Sequence, residues 1–134
     1  MYELKEQYLT GMETIDDQHR KIFQLADQVY ELLKDENMLY KDGELLKIVQ
    51  ELQDYTKYHF SEEEIYMEEI GYSRLEEQKI QHEKFIEELD KLNQAVQQIS
   101  LRNQDQVIFK LLDYLTYWLK VHIEKFDMLI KKEI

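Results

Sequence analysis

The chain contains no cysteine and no proline, and only three glycines, Gly11, Gly43 and Gly71. Without cysteine there are no disulfides, no thiolate zinc sites and no thiol-held iron–sulfur clusters, so any bound metal must use nitrogen and oxygen ligands. With so few helix breakers, the 134 residues favour long helices with short connections over a meandering sheet. Positive charge is also scarce, since 17 lysines and arginines face 29 aspartates and glutamates for a formal net charge of −12. That charge repels phosphate backbones and anionic membrane surfaces, which argues against nucleic acid and membranes as partners. No apolar run approaches the roughly 18 residues of a membrane span, and Met1 to Glu6 show no basic region followed by an apolar core. A cytoplasmic protein is therefore expected. A hydrophobic share of 43% beside 34% charged residues suits one globular domain over residues 1–134, with no internal repeat or linker.

Four apolar periodicities follow an N-terminal arm of about residues 1–16. The spacing predicts a first helix over about 17–36, capped by Asp16 or Asp17, with Ile15, His19, Ile22, Phe23, Ala26, Tyr30 and Leu33 recurring at three and four. A second, over about 43–70, carries Leu45, Ile48, Val49, Leu52, Tyr55, His59, Glu63, Met67 and Ile70 before Gly71, which fits a left-handed stop. Ser73 and Glu76 form a capping box for a third helix over about 74–100, striped by Leu75, Gln78, His82, Phe85, Ile86, Leu89, Leu92, Val96 and Ile99. Asn103 with Gln106 offers a similar start to a fourth over about 104–131, with Ile108, Leu111, Leu112, Leu115, Trp118, Leu119, His122, Phe126 and Ile130. Four such helices on short loops predict an all-α, antiparallel up-down-up-down four-helix bundle.

Polar residues interrupt these stripes in a pattern. Each of the four histidines falls on a different stripe, and Glu63 follows His59 at i,i+4 on one face. Burying imidazoles and carboxylates without compensation would cost several kcal/mol. Two cations would supply that compensation, with carboxylates bridging them and neutral imidazoles completing each coordination sphere. The candidate ligands are His19, His59, Glu63, His82, His122 and Asp127. By geometry the weakest of these is Asp127, because five residues rotate a side chain by about 140° from His122 on an ideal helix. Glu62, Glu64, Glu87 and Glu88 read as solvated faces, and Trp118 and the ten tyrosines as packing residues. Nothing in the chain matches a Ser/His/Asp triad, a phosphate loop or a nucleotide fingerprint.

Three blocks together resemble the bacteriohemerythrins, single-domain non-haem di-iron proteins. Gly11 to His19 is similar to the family's arm and first ligand. His59-Phe60-Ser61-Glu62-Glu63 with Met67 and Glu69-Ile70-Gly71-Tyr72 is similar to its second block, and Trp118 to Ile123 with Asp127 to its last. The resemblance covers nearly the whole chain. It implies the antiparallel bundle and reversible dioxygen binding for storage, delivery or sensing. The implied cofactor is two non-haem iron ions joined by a glutamate, an aspartate and an oxo or hydroxo bridge. Carried over, the bridges are Glu63 and Asp127, one iron takes His19 and His59, and the other takes His82 and His122.

The chain departs from that pattern at Gln78. The family has a His-x-x-x-His pair on its third helix, and here the pair reads Gln78 and His82. The amide oxygen is a weaker ligand than imidazole; alternatively a water or external molecule takes the place, or Gln78 only hydrogen-bonds near the site. Three function classes follow: a dioxygen-binding protein, a di-iron enzyme reducing dioxygen or peroxide with a redox partner, and a metal-binding module without gas chemistry.

Overall fold

Four amphipathic stretches wind into four helices in the computed structural model, which describes residues 9–123 and Asp127. They are α1 (Glu13–Lys34), α2 (Asp42–Glu69), α3 (Leu75–Gln97) and α4 (Gln104–His122). α1 packs on α2 and α4, and α3 packs on the same two, which closes the antiparallel four-helix bundle. No helix among the described residues is long and apolar enough to cross a membrane. Phe126, Ile130, residues 1–8 of the arm and the predicted end of the fourth helix, apart from Asp127, lie outside the described residues.

The apolar wedge of each helix is wider than a single stripe because each touches two neighbours. In α1, Leu25, Val29 and Leu32 join Ile22, Phe23 and Ala26 in the core, whereas Tyr30 and Leu33 sit at its border. In α2, Thr56 and Phe60 are buried and Tyr55 is partly exposed. Phe85, Leu89 and Val96 from α3 meet Ile108, Leu111, Leu112 and Leu115 from α4. Although Phe60, Leu119 and Ile123 extend it towards the other half, most of this apolar core fills the half of the bundle formed by the C-terminal parts of α1 and α3 and the N-terminal parts of α2 and α4. That half is closed by loop contacts: Gln104 accepts from the Lys41 backbone N–H at 3.0 Å and donates to the Leu39 carbonyl at 2.7 Å.

The helix starts differ from the sequence expectation. α1 begins at Glu13, four residues before the predicted 17, and Asp16 lies within its first turn. The Asp16 carboxylate accepts from the backbone N–H and hydroxyl of Thr10, both at 2.8 Å, and from Gly11 N–H at 3.1 Å. It therefore folds residues 10 and 11 back onto the helix instead of capping it. Ser73 does not occupy the cap of α3, because that position falls at Arg74, which makes no side-chain cap hydrogen bond. Asn103 stands at the cap of α4 but turns backward, accepting from Ser100 N–H at 2.7 Å.

The stop after α2 follows the left-handed form that Gly71 suggests, with φ of 66°. Tyr72 N–H donates to the Met67 carbonyl at 2.8 Å and Gly71 N–H to Glu68 at 3.2 Å, while Tyr72 and Met67 bury against each other. A Cβ at Gly71 would meet nothing within 4 Å, so only backbone strain opposes a side chain there. Gly71→Ala is expected to destabilise the fold by about 1–2 kcal/mol, the left-handed cost for an L-residue. Urea denaturation measures it; an unchanged midpoint would show that the turn relaxes without strain.

Candidate metal centre

Antiparallel packing brings the starts of α1 and α3 and the ends of α2 and α4 to one end of the bundle, opposite the apolar core. All six side chains selected from the sequence meet there. His19 comes from α1, His59 and Glu63 from α2, His82 from α3 and His122 from α4, with Asp127 just beyond. Each is at most 3% exposed, so water does not supply what these groups need.

The spacing that weakened Asp127 on an ideal helix is resolved by the backbone. The chain is π-helical at Ile123 and at Asp127. The wider i→i+5 winding returns the fifth residue towards the face of the first. Asp127 Oδ1 accordingly lies 3.1 Å from His122 Nε2.

Each carboxylate divides its two oxygens between two imidazole pairs. Glu63 Oε2 is 3.2 Å from His59 Nε2 and 3.7 Å from His19 Nε2. Its Oε1 is 3.2 Å from His82 Nε2 and 3.9 Å from His122 Nε2. Asp127 Oδ2 is 3.0 Å from His19 Nε2, and its Oδ1 faces His122. Two donor groups result, one of His19, His59, Glu63 and Asp127 and one of Glu63, His82 and His122, each with its ligand atoms within 4.8 Å of one another. Glu63 is common to both, and Asp127 reaches towards both.

Several of these atoms are close without being hydrogen-bonded. His19 Nε2, Glu63 Oε2 and Asp127 Oδ2 are buried and make no hydrogen bond. Buried polar atoms left in that state cost about 1–3 kcal/mol each. These three residues and His59 offer ligand atoms within 4.8 Å of one another, a spacing that suits one cation. His82 differs in having a carboxylate oxygen at each ring nitrogen, Glu64 at 2.7 Å from Nδ1 and Glu63 at 3.2 Å from Nε2. Nitrogen and carboxylate donors of this kind suit a first-row transition metal, so the residues fit a pair of such ions.

Two orienting residues escaped the sequence reading. His59 donates Nδ1–H to Gln18 Oε1 at 2.6 Å, and His82 donates Nδ1–H to Glu64 Oε2 at 2.7 Å. Each bond sets the tautomer that turns Nε2 towards Glu63. Glu64 is thus not simply part of a solvated face; it is one residue past Glu63 and turned towards α3. Trp118 is more than general packing, since it stacks on His122 with centroids 4.3 Å apart, as Phe60 does on His82 at 4.0 Å. No single-residue signal marks these four, because each depends on which helix stands opposite.

Similarity to known proteins agrees with this geometry. Residues 10–134 match the model of the hemerythrin HHE cation binding domain. The chain belongs to the hemerythrin family. This hemerythrin-family chain is 38% identical to a bacteriohemerythrin of Clostridium acetobutylicum over 127 residues, covering 95% of this chain and 96% of that one. It is 30% identical to a bacteriohemerythrin of Pseudomonas paraeruginosa, over 88% of this chain and 71% of the relative. A myohemerythrin of Sipunculus nudus is 29% identical, over 99% and 93%.

In the metal-free chain, protons take the place of cations. Burial pulls the His19 and His122 pKa values down, but the Asp127 and Glu63 carboxylates outweigh it and raise them from 6.5 to about 10 and about 9. Burial pushes Glu63 up, yet His59, His122 and His19 hold it well below its usual 4.5. Burial and Glu63 push Asp127 up, and His122 and His19 still leave it lowered. For His19 and His122, with folded values above unfolded ones, the contribution to stability is complete below pH 6.5 and is lost as pH rises through about 9 to 10, whereas burial lowers the His59 value and gives it the opposite sign. For the carboxylates it is present above the usual values and lost as pH falls through the depressed ones. The melting temperature of metal-free protein is therefore expected to decline from pH 6.5 towards 10. A flat profile over that range would contradict the paired-proton picture.

Proposed function

We propose that this chain holds two non-haem irons between Glu63, Asp127 and the four histidines and binds dioxygen there, for its storage, delivery or sensing. The observation that carries the reading is the division of each carboxylate's oxygens between two imidazole pairs, as two bridges require. One iron would take His19 and His59, the other His82 and His122. The iron pair, when bound, supplies the electrons that hold dioxygen. The protein's part is positional: Gln18 and Glu64 orient imidazoles, while Phe60 and Trp118 form apolar walls that limit water at the rings.

Iron reconstitution is expected to give two irons per chain, a reversible dioxygen-dependent absorption change and a higher melting temperature than the metal-free form. A chain that takes up one iron or none, or an absorption spectrum indifferent to dioxygen, would refute the assignment.

A second reading, redox turnover of dioxygen or peroxide, is favoured by Gln78. This residue is fully buried one turn before His82, and its amide N–H donates to Asp127 Oδ1 at 3.2 Å. Its Oε1 makes no hydrogen bond. An amide engaged with the bridging carboxylate leaves the His82 and His122 side with fewer strong ligands, so that iron would accept azide or water. Gln78→His puts a third imidazole on the same helix face. It is expected to weaken azide binding and to prolong the dioxygen-dependent absorption by roughly 10-fold or more, the scale on which ligand surroundings alter metal sites. Stopped-flow traces of the two proteins that superimpose would show that Gln78 does not set reactivity.

A further inference from the structure

The hydrogen bonds behind the Nδ1 atoms of His59 and His82 are similar in length and different in charge. Behind His59 stands the neutral amide of Gln18, at 2.6 Å. Behind His82 stands the carboxylate of Glu64, at 2.7 Å, with its side chain 26% exposed against 2% for His82. A carboxylate that accepts Nδ1–H draws that proton towards itself and raises the electron density at Nε2, which faces Glu63 Oε1 at 3.2 Å. A neutral amide does so far less. The same side of the site carries Gln78, whose amide is turned to Asp127. The half with the weaker donor on α3 is therefore the half with an added negative charge behind its histidine.

We propose that Glu64 is a positioning residue that makes His82 a more strongly donating ligand and so offsets, at that metal position, the amide at Gln78. The inference rests on the two-metal reading above. Glu64 sets both the affinity of the His82 and His122 position and the reduction potential of iron there. Gln18 orients His59 without adding charge, so the two positions are electronically unequal even though each presents two imidazoles.

Glu64→Gln separates charge from position, because its amide oxygen still accepts from His82 Nδ1–H. Zinc, which has no redox chemistry, measures affinity by competition with a chelator, and spectroelectrochemical titration of iron-loaded protein measures potential. One of the two zinc affinities is expected to fall by roughly 10- to 100-fold while the other holds, the range typical of groups that support a ligating histidine. One iron potential is expected to rise, because a less anionic surrounding favours the ferrous form. In the Gln78→His background the same change should have a smaller effect, a coupling that a merely structural role would not produce. Should Glu64→Gln fold poorly, Glu64→Asp keeps the charge, and its potentials are expected to match those of the unaltered chain. Unchanged affinities and potentials in Glu64→Gln, with two zinc ions still bound by the unaltered chain, overturn the inference and leave the two-metal reading standing. Equal effects in both backgrounds overturn the offset to Gln78. Fewer than two zinc ions on the unaltered chain overturn the two-metal reading and this inference with it.

Discussion

Two carboxylates, Glu63 and Asp127, are buried completely inside a helical bundle, and most of the surrounding arrangement follows from the need to neutralise them. An ionised group removed from water keeps its charge only if an opposite charge replaces the lost solvation. Four imidazoles converge on these two groups, and in the metal-free protein His19 and His122 hold protons far above the ordinary histidine range to supply that charge. A pair of cations would supply it with the imidazoles neutral, and the ligand atoms of each donor group already lie within 4.8 Å of one another.

The bundle accommodates this polar cluster by segregating it. Most of the apolar core occupies the half bounded by the α1–α2 loop and the start of α4, and the charged cluster lies in the other half. Phe60, Phe85 and Trp118 stand between them, with Phe60 edge-on to Phe85 and the Phe85 and Trp118 centroids 4.3 Å apart. Phe60 stacks on His82 and Trp118 on His122, and Phe85 packs behind both within the apolar core. Apolar packing and the polar cluster are thus carried by different lengths of the same four helices, and helix α2, which supplies both His59 and Glu63, connects them.

Within the cluster, each half presents two imidazoles, and the surroundings of the two halves differ. Position 78 offers an amide that donates to Asp127, and the partners behind His59 and His82 differ in charge. Unequal surroundings are a means of giving two nearby metals different affinities and potentials without altering the ligands themselves. The π-helical winding at Ile123 and Asp127 is a local departure of the same kind, in which regular backbone geometry yields so that one carboxylate can reach both halves.

The amino-acid sequence by itself determined the helices, the buried faces and the six polar residues on them, because helical periodicity and the absence of cysteine and proline are local properties. It also determined that His59 and Glu63 share a face, since i,i+4 neighbours need no tertiary information. Which helix faces which had to come from the packed bundle. Only there does Glu64 meet His82, Gln18 meet His59 and Gln78 turn to Asp127, pairings 18, 41 and 49 residues apart. The closeness of His122 and Asp127 was legible from the family resemblance and not from the spacing, because five residues on an ideal helix turn the two side chains apart. Caps failed for a related reason: Asp16 found better donors in Thr10 and Gly11 than in its own helix. Side-chain hydrogen bonds go to whichever buried partner the tertiary structure presents, and sequence spacing alone does not specify that partner.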